Sequence, residues 1–298
     1  MIYLILTVLC ILGFGVLFKL AALRFVDGLS LVTVNYVVAA AIVALSHPTS
    51  LEVYASTPAL TALGAATGAL FIGGFVLFAT STRIAGMSLS LSVMRVSVVI
   101  PFVYSWLVWN ETPSAWQTVG LVLACLAFFL ITRQSGHVTA TSDPHGEGGE
   151  SKTWSVTAAA LSLLFLFVTG GLTDVSMKTF DEVFSADHSR WHFMTVVFGT
   201  AAVIGLVSML ILGRFRRSVL TNDALRLGFV LGIVNIGSVE FLLRAIHLLN
   251  GTFVFPAVNI SVVAGAALLG VIVWKERLSG FNRLGIAVAV AALLLLGN

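Results

Sequence analysis

Ten apolar stretches, most of them long enough to cross a bilayer, divide this chain into two matching sets of five. They run over 2–22, 29–46, 58–82, 87–109 and 115–133, then over 154–177, 191–212, 226–249, 252–274 and 281–297. A sequence echo ties the two sets together. Val108-Trp109-Asn110-Glu111 is answered 165 positions later by Val273-Trp274-Lys275-Glu276. Gly86, Ser114 and Gly120 fall on Gly251, Ser279 and Gly285 at the same offset. Five helices per set is an odd number, so the second copy threads the membrane upside down relative to the first. The expected fold is all-α and integral to the membrane, with ten transmembrane helices as two inverted five-helix repeats. Such repeats face each other across a site near the bilayer midplane, the architecture of alternating access.

Composition excludes most other classes. The chain is 58% hydrophobic and 10% charged, with a mean hydropathy of +1.05. Soluble domains carry about 25% charged residues and keep a polar face on every helix. The net charge of +3 does not point to nucleic acid, because basic and aromatic residues do not cluster together. Cys10 and Cys125 both fall inside apolar stretches and imply no disulfide framework. The N-terminus lacks a basic leader and its apolar run continues to Ala22, so it reads as a first membrane helix, not a signal peptide.

The expected units are residues 1–133, a hydrophilic linker over 134–153, and residues 154–298. The linker is rich in Gly, Ser and Thr and poor in apolar residues. A second irregular connection is expected over Phe180–Ser189. Gly64 and Gly68 form a GxxxG in the third stretch, and Gly228 and Gly232 form one in the eighth. Small residues at that spacing let membrane helices approach backbone to backbone.

Basic residues set the orientation. Lys19, Arg24, Arg83, Arg133, Lys152, Arg214, Arg216, Arg217, Arg226, Lys275, Arg277 and Arg283 flank the odd-numbered connections, against Lys178 and Arg190 at the even-numbered ones. The positive-inside rule puts the odd connections and the linker in the cytoplasm and both termini outside. The expected location is a bacterial inner (plasma) membrane, spanned many times.

Three elements resemble the drug/metabolite transporter superfamily in its ten-helix, EamA-like form. The run Met87-Ser88-Leu89-Ser90-Leu91-Ser92, through Val98-Val99-Ile100-Pro101-Phe102 to Trp109-Asn110-Glu111, looks like that family's fourth helix and its terminal glutamate. Trp274-Lys275-Glu276-Arg277-Leu278 with Gly285 looks like the same element in the second half. Lys19 and Lys178 sit where that family often carries a lysine. Ala266 stands opposite Pro101, so the proline is not repeated. The resemblance implies metabolite transport without naming a substrate.

Ionisable residues inside membrane helices are costly and face a cavity or a partner. Arg95 lies nine residues past Gly86, roughly 13 Å deep, and Asn259 lies eight past Gly251, about 12 Å deep from the opposite face. Both approach the middle of a hydrocarbon layer about 30 Å thick. Glu240 and Arg244 share a helix face at i,i+4, where they either neutralise each other or serve substrate and proton. Asp174 and Lys178 repeat that spacing near the end of the sixth stretch. Glu111 and Glu276 end the fourth and ninth stretches as architectural contacts to neighbouring helix ends. Tyr36, Phe71, Phe75, Tyr104 and Trp106 are aromatics available to enclose a ligand. His188 and His192 have metal-ligand spacing but no evident third ligand, so no metal is expected. No cofactor is implied.

The expected function is secondary transport of a small polar or amphipathic metabolite, an amino acid or other zwitterion fitting best. Arg95 would take a carboxylate, Glu240 or Asn259 an amine, and Tyr36, Phe75, Tyr104 and Trp106 the remainder. Glu240, Arg244, Asp174, Lys178 and Lys19 are the coupling or gating candidates. The expected partners are the lipid bilayer, the small-molecule substrate and a coupling proton or counter-substrate, around a monomer or weak homodimer. A choline-like cation or drug, or a lipid-linked flippase substrate, is the alternative. An enzyme would need a nucleophile–base or metal constellation at one depth, and none stands out.

Overall fold

Every regular element among the described residues of the computed structural model (1–47, 58–85, 87–132, 156–213, 220–274 and 280–296) is an α-helix. In chain order these are α1 (Ile2–Leu23), α2 (Gly28–Ser46), α3 (Pro58–Ala85), α4 (Met87–Val96), α5 (Val99–Trp109) and α6 (Ala115–Thr132). They are followed by α7 (Val156–Phe184), α8 (Arg190–Ile211), α9 (Asn222–Leu248), α10 (Gly251–Trp274) and α11 (Gly280–Leu296). Seven of them are long and apolar enough to cross a membrane: α1, α2, α3, α7, α8, α9 and α10. Shorter apolar helical stretches cover Val93–Trp109 (the end of α4 with α5), Ala115–Leu130 and Arg283–Leu296. Gly86, Glu276, Ser279 and the 134–153 linker lie outside the described residues.

Polarity is arranged as lipid demands. Ile5, Leu9, Phe165, Val203 and Leu210 are exposed on the outer faces, whereas Asn35, Thr67, Ser105 and Asn235 are buried inside. That arrangement would be expensive in water and suits hydrocarbon, where helices satisfy their own backbone groups. The fold is compatible with a multi-pass membrane protein.

Local chemistry sets the helix ends. The Asp27 carboxylate accepts from the Ser30 N–H at 2.9 Å and caps α2. Ser114 and Gln117 form a reciprocal capping box at the start of α6, with bonds of 3.1 and 3.0 Å. Asn110 ends α5 in the left-handed region, at φ 54°. Two expected boundaries change. The sixth stretch does not give way at Phe180; α7 runs on to Phe184, held by a Lys178–Glu182 pair one turn apart. The fourth stretch is not continuous but breaks into α4 and α5 at Ser97–Val98. Pro101 supplies the reason, because it has no N–H to offer the Ser97 carbonyl and its ring crowds that position.

The GxxxG pairs bring backbones together. A Cβ on Gly64 would lie 2.7 Å from Val196, and one on Gly68 would strike the Val197 carbonyl, both on α8. A Cβ on Gly228 would meet Val34 at 2.6 Å, and one on Gly232 the Asn35 carbonyl at 2.9 Å, both on α2. Thus α3 packs on α8 as α9 packs on α2. Likewise α1 packs on α9 as α7 packs on α3, and α10 touches α1 as α5 touches α7. The pairs α2–α8, α5–α10 and α6–α11 close the set. Gly68→Val is expected to lower stability by ~1–3 kcal/mol or more, since backbone cannot move aside as a side chain can. Thermal unfolding in detergent, read beside Ala66→Val on the same helix, checks it; equal small shifts would show that the close approach is not needed.

Candidate functional site

The break in the fourth stretch carries Arg95, in the last turn of α4. The chain stays helical through this turn, with the Val98 N–H on the Arg95 carbonyl and the Ile100 N–H on the Ser97 carbonyl, so the fourth stretch is kinked rather than unwound. The Arg95 Nη1 donates to Asn259 Oδ1 on α10 at 3.2 Å. Asn259 in turn donates its amide to the Phe255 carbonyl at 3.0 Å, which turns its oxygen towards Arg95. The two residues expected at one depth are therefore in contact.

α7 packs against the kink. Gly170 and Gly171 lie against the break: a Cβ on Gly170 would be 2.7 Å from Ser97 Oγ, and one on Gly171 would strike Ile100. One turn further on, Asp174 comes within electrostatic reach of Arg95. Asp174 does not pair with Lys178, as their spacing had implied. Arg95, Asp174 and Asn259 are each only half-buried.

Lys178 belongs to a different group at one end of the bundle, the Glu111 end. It is 2% exposed and donates to Glu111 at 2.5 Å and to Glu182 at 2.6 Å. Glu111 also accepts from the Thr252 N–H at the start of α10, at 3.0 Å. This carboxylate therefore ties α5, α7 and α10 together. Glu240, expected near Arg95, instead sits at this end between two guanidiniums, Arg244 at 2.5 Å and Arg190 of α8 at 3.0 Å. Arg244 also donates to the Tyr3 hydroxyl at 3.3 Å and lies over its ring. Asp181 and His247 make a further bridge at 2.9 Å. Two adjoining cavities of about 240 and 380 Å³ open here and share Asp181, Ser185 and His247. Lys19 is half-buried at the far end of α1, sixteen residues beyond Tyr3.

The aromatics divide. Tyr36 is buried and stacks with Phe71 and Phe198 at 6.2 and 6.5 Å, so it is core packing between α2, α3 and α8. Phe75 meets Phe18 at 5.8 Å beside Gly28, in the half of the bundle opposite Glu111. The Tyr104 hydroxyl is 2.9 Å from Thr179 on α7, which fixes its ring towards the bundle interior. Trp106 is 45% exposed on the outer face of α5, with Leu107 and Val108 beside it, and does not join the aromatics inside. His188 and His192 lie ring to ring at 6.4 Å. A buried polar contact that the sequence reading missed is Asn235 on Asn35, at 3.2 Å between α9 and α2.

No family model matches the chain. It is 25% identical to an uncharacterized protein of Haemophilus influenzae over 231 residues, covering 76% of this chain and 72% of that one. One solved crystal structure superposes with a TM-score of 0.73 at 9% identity, over 99% of this chain and 95% of the other. That likeness extends over the whole bundle and concerns the fold alone.

Proposed function

We propose that this chain is a secondary transporter of a small polar metabolite, built as ten spans in two inverted repeats. The observation that carries this is the kink between α4 and α5, with Arg95 just before it and Asn259 of α10 beside it. Discontinuous helices at a repeat interface are the setting in which carriers bind polar cargo. The paired packing supports the repeats: exchanging the first five spans with the second maps α1–α9 onto α7–α3 and α2–α9 onto α8–α3. With the 165-residue echo, this is the reason to keep the resemblance to EamA-like drug/metabolite transporters as part of the proposal.

Alternating access needs two ends that close in turn. The Glu111–Lys178–Glu182 bridge closes one. Phe14, Phe18 and Phe75 crowd the other, with ring centroids 4.8 and 5.8 Å apart. The Arg95 group lies between. On the positive-inside count the Glu111 end faces outward, so both termini and this bridge are extracytoplasmic in a bacterial inner membrane. Glu240 has no part in binding in this reading; held by two arginines, it braces α9 against α8.

Proteoliposomes test the proposal. Vesicles containing the purified protein, preloaded with mixtures of amino acids, amines, organic acids or sugars, are expected to take up tracer from one class by counterflow. Empty vesicles are expected to take up none. Absence of counterflow with every class would remove the transporter reading. A cysteine at Ser142 is expected to resist impermeant reagents in intact cells and to react after permeabilisation; labelling in intact cells would reverse the orientation.

A further inference from the structure

We infer that Asp181 and His247 form a proton-operated latch between the two cavities at the Glu111 end of the bundle. The pair spans α7 and α9, with His247 Nδ1 2.9 Å from Asp181 Oδ1. The cavities of about 240 and 380 Å³ have Asp181, Ser185 and His247 in common, so the bridge stands in the wall between them. The smaller is the more enclosed, with Phe180, Leu243 and Arg190 around it, whereas the larger opens beside Leu249 and Asn250. The His247 side chain is 56% exposed and that of Asp181 only 10%. Solvent protons therefore reach the imidazole directly, while the carboxylate behind it is screened.

Charge along the wall supplies the switch. Histidine is the side chain that changes charge between about pH 5 and 8. Of the charged groups lining the cavities, Glu111, Asp181 and Glu182 face Lys178 and Arg190, one carboxylate in excess. Behind them on α9, Glu240 offsets Arg244, which also bonds Tyr3 of α1. Asp187, exposed between α7 and α8, lines neither cavity. A proton on His247 cancels the excess and makes its bond to Asp181 charge-assisted, roughly twice as strong as a neutral one. Lys178 cannot take its place, because it already holds Glu111 and Glu182. The latch is therefore tight in acid and loosens as rising pH strips the proton from His247. All four histidines among the described residues are at this end: His188 lines the smaller cavity beside His192, and His47 stacks on Trp191 at 4.2 Å. The Arg24–Asp223 pair at the opposite end contains no histidine, so a change of pH in this range acts on one end of the bundle.

The test is the pH dependence of cysteine labelling in the purified full-length protein. Cys10 and Cys125 are replaced by alanine, and a reporter cysteine is placed at Leu243, which lines the smaller cavity alone. Labelling rates with a neutral methanethiosulfonate reagent at about pH 5.5 and 8 are divided by those of the same protein carrying His247→Asn. The division cancels the reagent's own pH dependence, and asparagine keeps a donor near the place of Nδ1 that takes up no proton. The ratio is expected near one in the alkaline sample and about fivefold or more below one in the acid sample, the difference between a charged and a neutral hydrogen bond. His247→Lys is expected to label slowly in both. Melting temperatures without any reporter give a second reading: wild type is expected above His247→Asn in acid and level with it in alkali. A ratio that does not change with pH in a folded protein, a pH response that survives Asp181→Asn, or an equal change at a reporter on Leu249 in the larger cavity would each overturn the latch. So would a response lost in His188→Asn with His247 intact. Labelling needs neither cargo nor flux, so the latch stands or falls apart from the transporter proposal.

Discussion

Arg95→Gln is expected to reduce counterflow by about 100-fold, because it removes the guanidinium from the kink at which polar cargo is proposed to bind. The reason lies in what Arg95 does with its neighbours. It anchors on Asn259 across the break between α4 and α5, and it balances Asp174. Glutamine is shorter than arginine and gives up the bond to Asn259 but adds no bulk, so the local fold is expected to survive. The positive charge is gone, so the proposed polar cargo loses the guanidinium at the kink. Asp174 is also left alone at membrane depth, which is costly. The single variant should therefore melt somewhat below wild type, and the neutral double variant, Arg95→Gln with Asp174→Asn, should recover that loss without recovering flux. Recovered stability with absent flux identifies a binding role. Flux restored along with stability would mean that the pair only holds the bundle together.

Much of the scaffold was legible because membrane helices advertise themselves by length and uniform apolarity, as α1 does with Lys19 as its one charged residue. The GxxxG contacts were legible for the same reason: few residues besides glycine permit the approach of α3 to α8. The sequence placed Arg95 and Asn259 at one expected depth; their hydrogen bond is what the structure adds. Other features depend on which face a helix turns, and the sequence does not state that. Asp174 and Lys178 share a spacing that favours pairing, but α7 offers Asp174 to α4 and Lys178 to the end of α5, 67 residues earlier in the chain. Glu240 had one arginine a turn away; the second, Arg190, comes from the start of α8. Trp106 was grouped with the aromatics of the cavity, and it lies instead on the outer face of α5. Pro101 was the available signal for the break, since a proline withholds the N–H that the Ser97 carbonyl would take.

Lys178→Met is expected to cost about 3–5 kcal/mol of stability, the usual consequence of removing one partner from a buried ion pair. Lys178 is 2% exposed, and its ammonium holds two carboxylates on different elements, Glu111 just past α5 and Glu182 on α7 itself. Methionine matches the length of the stem and removes the charge, so Glu111 is left facing a thioether with only the Thr252 N–H to bond. Glu182 is one-third exposed and can turn to water, so the loss is expected to arise mainly at Glu111. Adding Glu111→Gln should therefore restore most of the stability, because glutamine still accepts from Thr252 and no longer buries a charge. Adding Glu182→Gln should restore little. The two double variants, measured as a thermodynamic cycle, separate these shares. The same variants report on gating. If the bridge closes this end, the stabilised Lys178→Met/Glu111→Gln protein should spend more time open there, and a cysteine at Asn250 should react faster with an impermeant reagent than in wild type. Unchanged reactivity in that folded variant would leave Lys178 as a structural lysine and place the closing contact elsewhere.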